Sequence, residues 1–222
     1  MLLMKILVVE PCSFMRLGML EILAEHAEID LLDVECLADA LIKAPLFKPD
    51  IIFANMTSHC HSTQFDSNIN EFLKFRKNSK VYCYLDANYP DNQEPIMVAE
   101  NFFITNKQKV IDVLNHVSRL VDASTSFRLC TQPYSIFSDQ EMLVMNDWMA
   151  EMPNYRIARK LNISDRTVYV HKRHITQKIK VRNRLEFCFV YNLIKYLYWP
   201  LNPQAQRPMS RQTKSDLLSL TR

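Results

Sequence analysis

The sequence predicts an α/β domain built on a parallel sheet, followed by an all-helical domain. Three observations predict this. Strand-like and helix-like runs alternate through residues 1–121, whereas residues 137–198 carry helical patterning alone. Charge divides at the same place. Residues 1–120 hold 11 Lys and Arg against 16 Asp and Glu, while residues 151–190 hold ten against three. A chain of 222 residues with 48% hydrophobic content can bury a core in each of two small domains.

Lys5–Val9 reads as a buried strand. Phe14–Ala24 reads as a helix with Phe14, Leu17, Leu20 and Leu23 on one face. Ile29–Val34 suits a strand and Leu37–Ala44 a helix that should stop near Pro45. Asp50–Ala54 follows Pro49 as a third strand. Ile69–Arg76 is helical, Val81–Leu85 a strand and Phe102–Thr105 a short strand. Lys107–Val121 carries an apolar stripe at 110, 111, 114, 117 and 121. Between the last two strands, Pro90 and Pro95 leave room only for a short or broken helix. Residues 122–136 read as a linker, and 199–222, with Pro200, Pro203 and Pro208, as a disordered tail with a helical turn near Asp216–Leu220.

Several function classes are excluded. Gly18 is the only glycine, so neither a dinucleotide fingerprint nor a Walker loop can be written. The six cysteines form no CxxC pair, which argues against a disulfide framework or structural zinc. His59-Cys60-His61 has ligand-type residues but reads as a polar loop. No catalytic triad, metal set or cofactor site emerges, so an enzyme is not expected. Neither a signal peptide nor a membrane-length apolar run is legible, and the expected compartment is the cytoplasm.

The basic block points to a polyanion. Ser138-Asp139-Gln140-Glu141 fits a capping box opening a helix that buries Met142, Met145, Trp148 and Met149. Pro153 breaks it, and Asn154 is expected to cap a short helix, Tyr155–Leu161. Asn162 supplies the turn, Ile163 plugs the core and Ser164 caps the next helix. On that helix, read as Asp165–Lys180 at about 100° per residue, Val168, Ile175 and Ile179 share one side with His171 beside them. Arg166, Tyr169, Val170, Arg173, Gln177 and Lys180 lie opposite. Such a helix fits the major groove of double-stranded DNA. Arg173 is placed to fork onto guanine, and Tyr169 and Val170 to touch base edges. Arg166, Thr167, Lys172 and Lys178 are placed to bind phosphates. His171 reads as a packing residue. Asn183-Arg184-Leu185-Glu186 opens a last helix that is apolar on both faces. A dimer interface is expected there, with packing on the N-terminal domain as the competing reading.

Ile157-Ala158, Leu161-Asn162-Ile163-Ser164, Thr167-Val168, His171, Ile175, Lys178-Ile179 and Val181-Arg182-Asn183-Arg184 resemble the LuxR/NarL-type helix-turn-helix. That resemblance implies a four-helix DNA-binding domain in which Tyr169, Val170 and Arg173 read bases. Glu151 or Met152 stands where that family has glycine. The N-terminal part, from Glu10-Pro11-Cys12-Ser13-Phe14-Met15-Arg16-Leu17-Gly18, resembles the receiver domain of response regulators, a doubly wound parallel sheet. The resemblance places Glu10-Pro11 at the acidic pair and Asn55 at the phosphoacceptor. Leu85 and Thr105 fall at the hydroxyl and lysine positions, with Lys107 close by. Asn55 cannot form an acyl phosphate, which implies a pseudo-receiver. Cys12–Gly18, Trp148-Met149-Ala150 and Lys178-Ile179-Lys180 are similar to an auxiliary branch of the LuxR family, activators of capsule synthesis that pair with a LuxR-type response regulator on DNA.

The expected function is therefore a sequence-specific transcription regulator, homodimeric or paired with such a partner, and not switched by phosphorylation. The alternative is a protein–protein modulator of a transcription regulator that does not itself contact DNA.

Overall fold

The computed structural model describes residues 3–61, 64–91, 93–122 and 128–198. The tail read from sequence as disordered lies outside them. One sheet runs in the order β2-β1-β3-β4-β6-β5. Its strands are β1 (Met4–Val9), β2 (Ile29–Val34), β3 (Ile51–Asn55), β4 (Lys80–Leu85), β5 (Ile96–Ala99) and β6 (Phe102–Asn106). The N-terminal helices are α1 (Ser13–Ala24), α2 (Leu37–Phe47), α3 (Thr57–Cys60), α4 (Ser67–Phe72) and α5 (Val110–Asp122). The helical half holds α6 (Asp139–Met149), α7 (Asn154–Leu161), α8 (Asp165–Lys178) and α9 (Arg184–Tyr198).

Side chains alternate across the sheet with the strand period of two. Ile6, Val8, Phe53 and Tyr84 pack with Met19 and Leu23 of α1 and Val110, Val113, Leu114 and Val117 of α5. Leu7, Val9, Ile52, Ala54, Cys83, Leu85, Phe102 and Ile104 face the other way, towards Leu37, Ala40, Ala44, Ile69 and Phe72. Helices on both faces and parallel β1, β2, β3, β4 and β6 give the doubly wound architecture.

Four local expectations need correction. No helix forms among the described residues of 86–100. Instead β5 pairs antiparallel with β6 and widens the sheet by one strand. Pro90 and Pro95 remove helix donors, and the apolar run after Pro95 favours strand. Asn101, at φ 56, closes the hairpin, and its amide holds Arg76 O and Cys130 O. Helix α2 continues through Pro45 to Phe47 and ends where Lys48, at φ 55, donates its N–H to Ala44 O at 2.7 Å. Helix α4 stops at Phe72 and tightens into a 3-10 turn over Leu73–Lys77. Helix α1 is apolar on two sides, and the sheet takes Met15, Met19 and Leu23. Phe14 and Leu17 remain 88% and 58% exposed.

The largest correction concerns α9, expected to dimerise. In the structure it is buried on both sides within one chain. One side joins the helical core, where Phe187 stacks on Trp148 at 5.2 Å and Cys188 meets Met149. The other side docks on the N-terminal domain. Phe189 meets His61 and Tyr89 edge-on, and Asn192 Nδ2 donates to Cys60 O at 2.7 Å. Tyr196 Oη accepts from Asp66 N at 2.9 Å, and Tyr198 Oη donates to Val98 O at 2.6 Å. A helix shared by two cores must be apolar all round, and the competing reading, packing on the N-terminal domain, accounts for the second face. The end of the expected linker helps: Ser135 bridges Ala99, and Ile136 N donates to Val98 O at 3.0 Å.

Phe189 is fully buried between the domains. Phe189→Ala is expected to cost about 3–5 kcal/mol in a urea titration, and to lower stability reported from both domains together. A loss confined to helical signal from residues 137–198 would contradict the shared core.

Candidate nucleic-acid interface

The helical half is locked before it meets any ligand. Ser138 caps α6 by accepting from Glu141 N, while Glu141 reaches back to Ser138 N at 2.8 Å. The same carboxylate accepts from Lys178 Nζ at 2.6 Å, tying the start of α6 to the end of α8. Lys160 pairs with the buried Asp147 at 2.6 Å. Asn162, at φ 53, makes the turn after α7. Ser164 caps α8 through Thr167 N at 3.0 Å. Val168, Ile175 and Ile179 are fully buried, and that face holds α8 against α6 and α7.

Two expectations about these helices change. Pro153, not Asn154, occupies the N-cap of α7. Asn154 Oδ1 instead accepts from Lys172 Nζ at 2.6 Å. Helix α8 ends at Lys178, and Lys180 sits beyond it at φ 55 with its carbonyl accepting from Asp91 N. Lys180 is therefore exposed at the end of the helix and not in line with the stripe above it.

The outward stripe of α8 consists of Arg166, Tyr169, Val170, Arg173 and Gln177, all exposed. Tyr169 is 63% accessible. The docked N-terminal domain leaves this stripe uncovered. Thr167 is half-buried, its hydroxyl 2.8 Å from Ser164 Oγ. Lys172 and Lys178, expected at phosphates, are turned inward. Lys172 lies 5.1 Å over the Trp148 ring, and burial, then Arg184, lowers its pKa to about 8. Lys178 holds Glu141. Sequence patterning placed both on the flank of α8 but could not see the partners waiting on α6 and α7. His171 has its Nδ1 buried without a hydrogen-bond partner among the described residues.

The second site lies at the C-terminal ends of β1 and β3. Asn55 Nδ2 donates to Glu10 Oε2 at 2.9 Å, and Asn55 Oδ1 accepts from Thr57 N at 3.0 Å. Glu10 Oε1 accepts from Cys12 N at 2.8 Å. Tyr84 donates its hydroxyl to Glu10 Oε2; burial, reinforced by Glu10, pushes the Tyr84 pKa far above its ordinary value. Glu10 is thus consumed by internal donors. Leu85 and Thr105 are buried. Lys107 Nζ, the alternative lysine, pairs with Asp86 Oδ2 at 2.8 Å, and Asp86 N donates to Thr57 Oγ1. Tyr84 and Asp86 escaped sequence reading because both sit in the β4 apolar run and its exit. Cys60 and His61 are spent on the domain contact, and His59 Nδ1 lies 3.2 Å from Asp66 Oδ2 within the N-terminal domain. Among the described residues no group of three or more His, Cys, Asp or Glu could hold a metal.

An α/β receiver-like unit joined to a four-helix unit whose α8 exposes a basic stripe defines a class, the LuxR-type DNA-binding transcription regulators. Residues 135–190 match the family model of bacterial regulatory proteins, luxR family. Residues 5–126 match the model of the transcriptional regulator RcsA, N-terminal dimerisation domain, and the chain belongs to this family. It is 24% identical to the transcriptional regulatory protein RcsA of Escherichia coli O157:H7 over 187 residues, covering 82% of this chain and 89% of that protein. It is 25% identical to EntR of Citrobacter freundii over 189 residues, covering 82% and 94%. The solved RcsB–DNA complex shares the fold at a TM-score of 0.50 and 16% identity, covering 88% of this chain and 98% of that one.

Two outcomes test this geometry. Glu151, at φ 60, pays for a left-handed conformation that glycine adopts without strain. Glu151→Gly is expected to raise stability by about 0.5–1 kcal/mol in thermal unfolding, despite loss of its 3.6 Å pair with Arg184. Burial favours the neutral form of Glu141, but the Lys178 and Ser138 bonds outweigh it and hold the carboxyl below its ordinary value. A carboxyl lower in the folded state stabilises above the unfolded pKa, and that contribution fades as pH falls through the folded one. The stability gap between the parent and Lys178→Met should therefore be widest near neutrality and narrow below about pH 4.5.

Proposed function

We propose that the chain reads specific DNA sequences through α8, works without phosphorylation, and pairs through its N-terminal domain. The pairing is with a second copy or with a LuxR-type response regulator whose DNA binding it assists. The observation that carries the reading is the exposed stripe on α8, left open while Val168 and Ile175 on the other side of the same helix are committed to the core. Tyr169, Val170, Arg173 and Gln177 are assigned to base edges, Arg166, Thr167 and Lys180 to phosphates. Lys172 and Lys178 add positive potential but act first as internal ties. The alternative of a modulator that never touches DNA leaves the basic stripe without a role.

Loss of the phosphate switch is supported by the Asn55 carboxamide, which cannot accept a phosphoryl group and instead plugs Glu10. Pairing through the N-terminal domain is supported by exposed Phe14 and Leu17 on α1, now that α9 is unavailable. Work on chromosomal DNA sets the proposed location in the cytoplasm. No described helix is long and apolar enough to cross a membrane.

The test selects bound fragments from genomic DNA and measures affinity against salt. Arg173→Ala should weaken the best fragment by about 1–3 kcal/mol and relax preference at one position. Arg166→Ala should instead lower the salt slope by about one. Unchanged affinity and slope in both variants would remove α8 from the interface. Incubation with acetyl phosphate and Mg²⁺ should add no phosphoryl mass. An adduct abolished by Asn55→Ala would overturn that part.

A further inference from the structure

The segment leading into β5, Gln93–Pro95, stands off α5 and leaves a cleft of about 390 Å³ over β4 and β6. That volume lies in the range of small-molecule sites. Its floor is aromatic. Phe53, Tyr82 and Phe103 are register partners on β3, β4 and β6, and their rings stack at 5.2 and 4.7 Å with interplanar angles of 18° and 15°. Tyr82 and Phe103 form the end of this stack that lines the cleft. Burial pushes the Tyr82 pKa up to about 12, so the floor is uncharged.

The rim is polar and asymmetric. His116 and Arg119 of α5 stand on one side and Glu94 on the other. Asp112 also borders the cleft and is met by Lys109 at 3.4 Å. Arg119 uses Nε on Asn115 O at 2.9 Å; its Nη groups have no hydrogen-bond partner among the described residues and remain for a ligand.

We propose that this cleft binds a planar aromatic monocarboxylate, its ring on Tyr82 and Phe103 and its carboxylate on Arg119. A stacked ring supplies apolar contact, and a guanidinium matches a carboxylate in a forked pair. Glu94 opposite disfavours a second negative charge. The segment that forms the rim before β5 also reaches the reading domain, where Asp91 N donates to Lys180 O at 3.0 Å. A ligand here touches the same segment that holds the end of α8, in a domain whose phosphate site is closed.

The test titrates indole-3-acetate and its neutral counterpart indole-3-acetamide into the full chain, read by ligand-detected NMR. The acid should bind with Kd below about 1 mM. Arg119→Ala, at an exposed position, should weaken the acid roughly tenfold and the amide little. Phe103→Ala should weaken both. Leu46→Ser, at an exposed position on α2, should change neither. Binding of neither probe at about 1 mM would overturn the proposal, as would binding insensitive to Arg119 and Phe103 or binding lost with Leu46→Ser. If Phe103→Ala shifted self-association while no acid bound, the cleft would be a protein contact instead.

Discussion

Helix α9 lies between two apolar surfaces, and neither domain buries its own without it. The connection from β4 to β6 contains no helix among its described residues, so one face of the sheet near Leu85, Phe102 and Ile104 lacks a cover of its own. The cover comes from the other end of the chain. Phe189, Leu193 and Ile194 join the cluster that contains those sheet residues, while Phe187 and Cys188 close the helical core. The flank of this contact is hydrogen-bonded as well as apolar, through Asn192, Tyr196 and Tyr198. Buried polar groups with defined partners fix one geometry where an apolar surface alone would allow several.

That geometry decides what the rest of the molecule can present. Docking through α9 keeps α8 on the far side, its inward face closed by Val168, Ile175 and Ile179 and its outward face bare. The ties Glu141–Lys178 and Asn154–Lys172 hold α8 at its C-terminal end and its middle against α6 and α7. Helix α8 is thus pre-organised, and little ordering of it would remain to oppose the proposed binding to DNA. At the C-terminal ends of the inner strands β1 and β3, Cys12, Asn55 and Tyr84 donate to Glu10 and close a hydrogen-bond set around it.

Much of this was legible in the sequence, for reasons that differ by element. Strands β1, β3 and β4 are short continuous apolar runs next to turn residues, and the parallel sheet follows from their alternation with helices. The capping residues Ser138, Ser164 and Asn162 act locally, so their roles could be read from neighbours a few residues away. The stripe on α8 is a property of one helix and needed only its period. What stayed hidden depends on residues distant in the chain. Lys172 and Lys178 look like phosphate ligands until Asn154, Trp148 and Glu141 are brought beside them. Helix α9 is apolar all round, and periodicity cannot say whether its second face meets another molecule or another domain. Phe14 and Leu17 fit one of two possible faces of α1, and the sheet took the other. β5 replaced a helix because two prolines outweighed a weak helical pattern.

The account rests on α8 meeting DNA while α9 stays docked. The most direct measurement replaces Tyr169, and separately Phe189, with the photo-crosslinking residue p-benzoylphenylalanine in the full chain bound to its selected DNA fragment. The account predicts a DNA crosslink from position 169 and only an intramolecular crosslink, to the N-terminal domain, from position 189. A DNA crosslink from 189, or none from 169 in a complex that still forms, would contradict it.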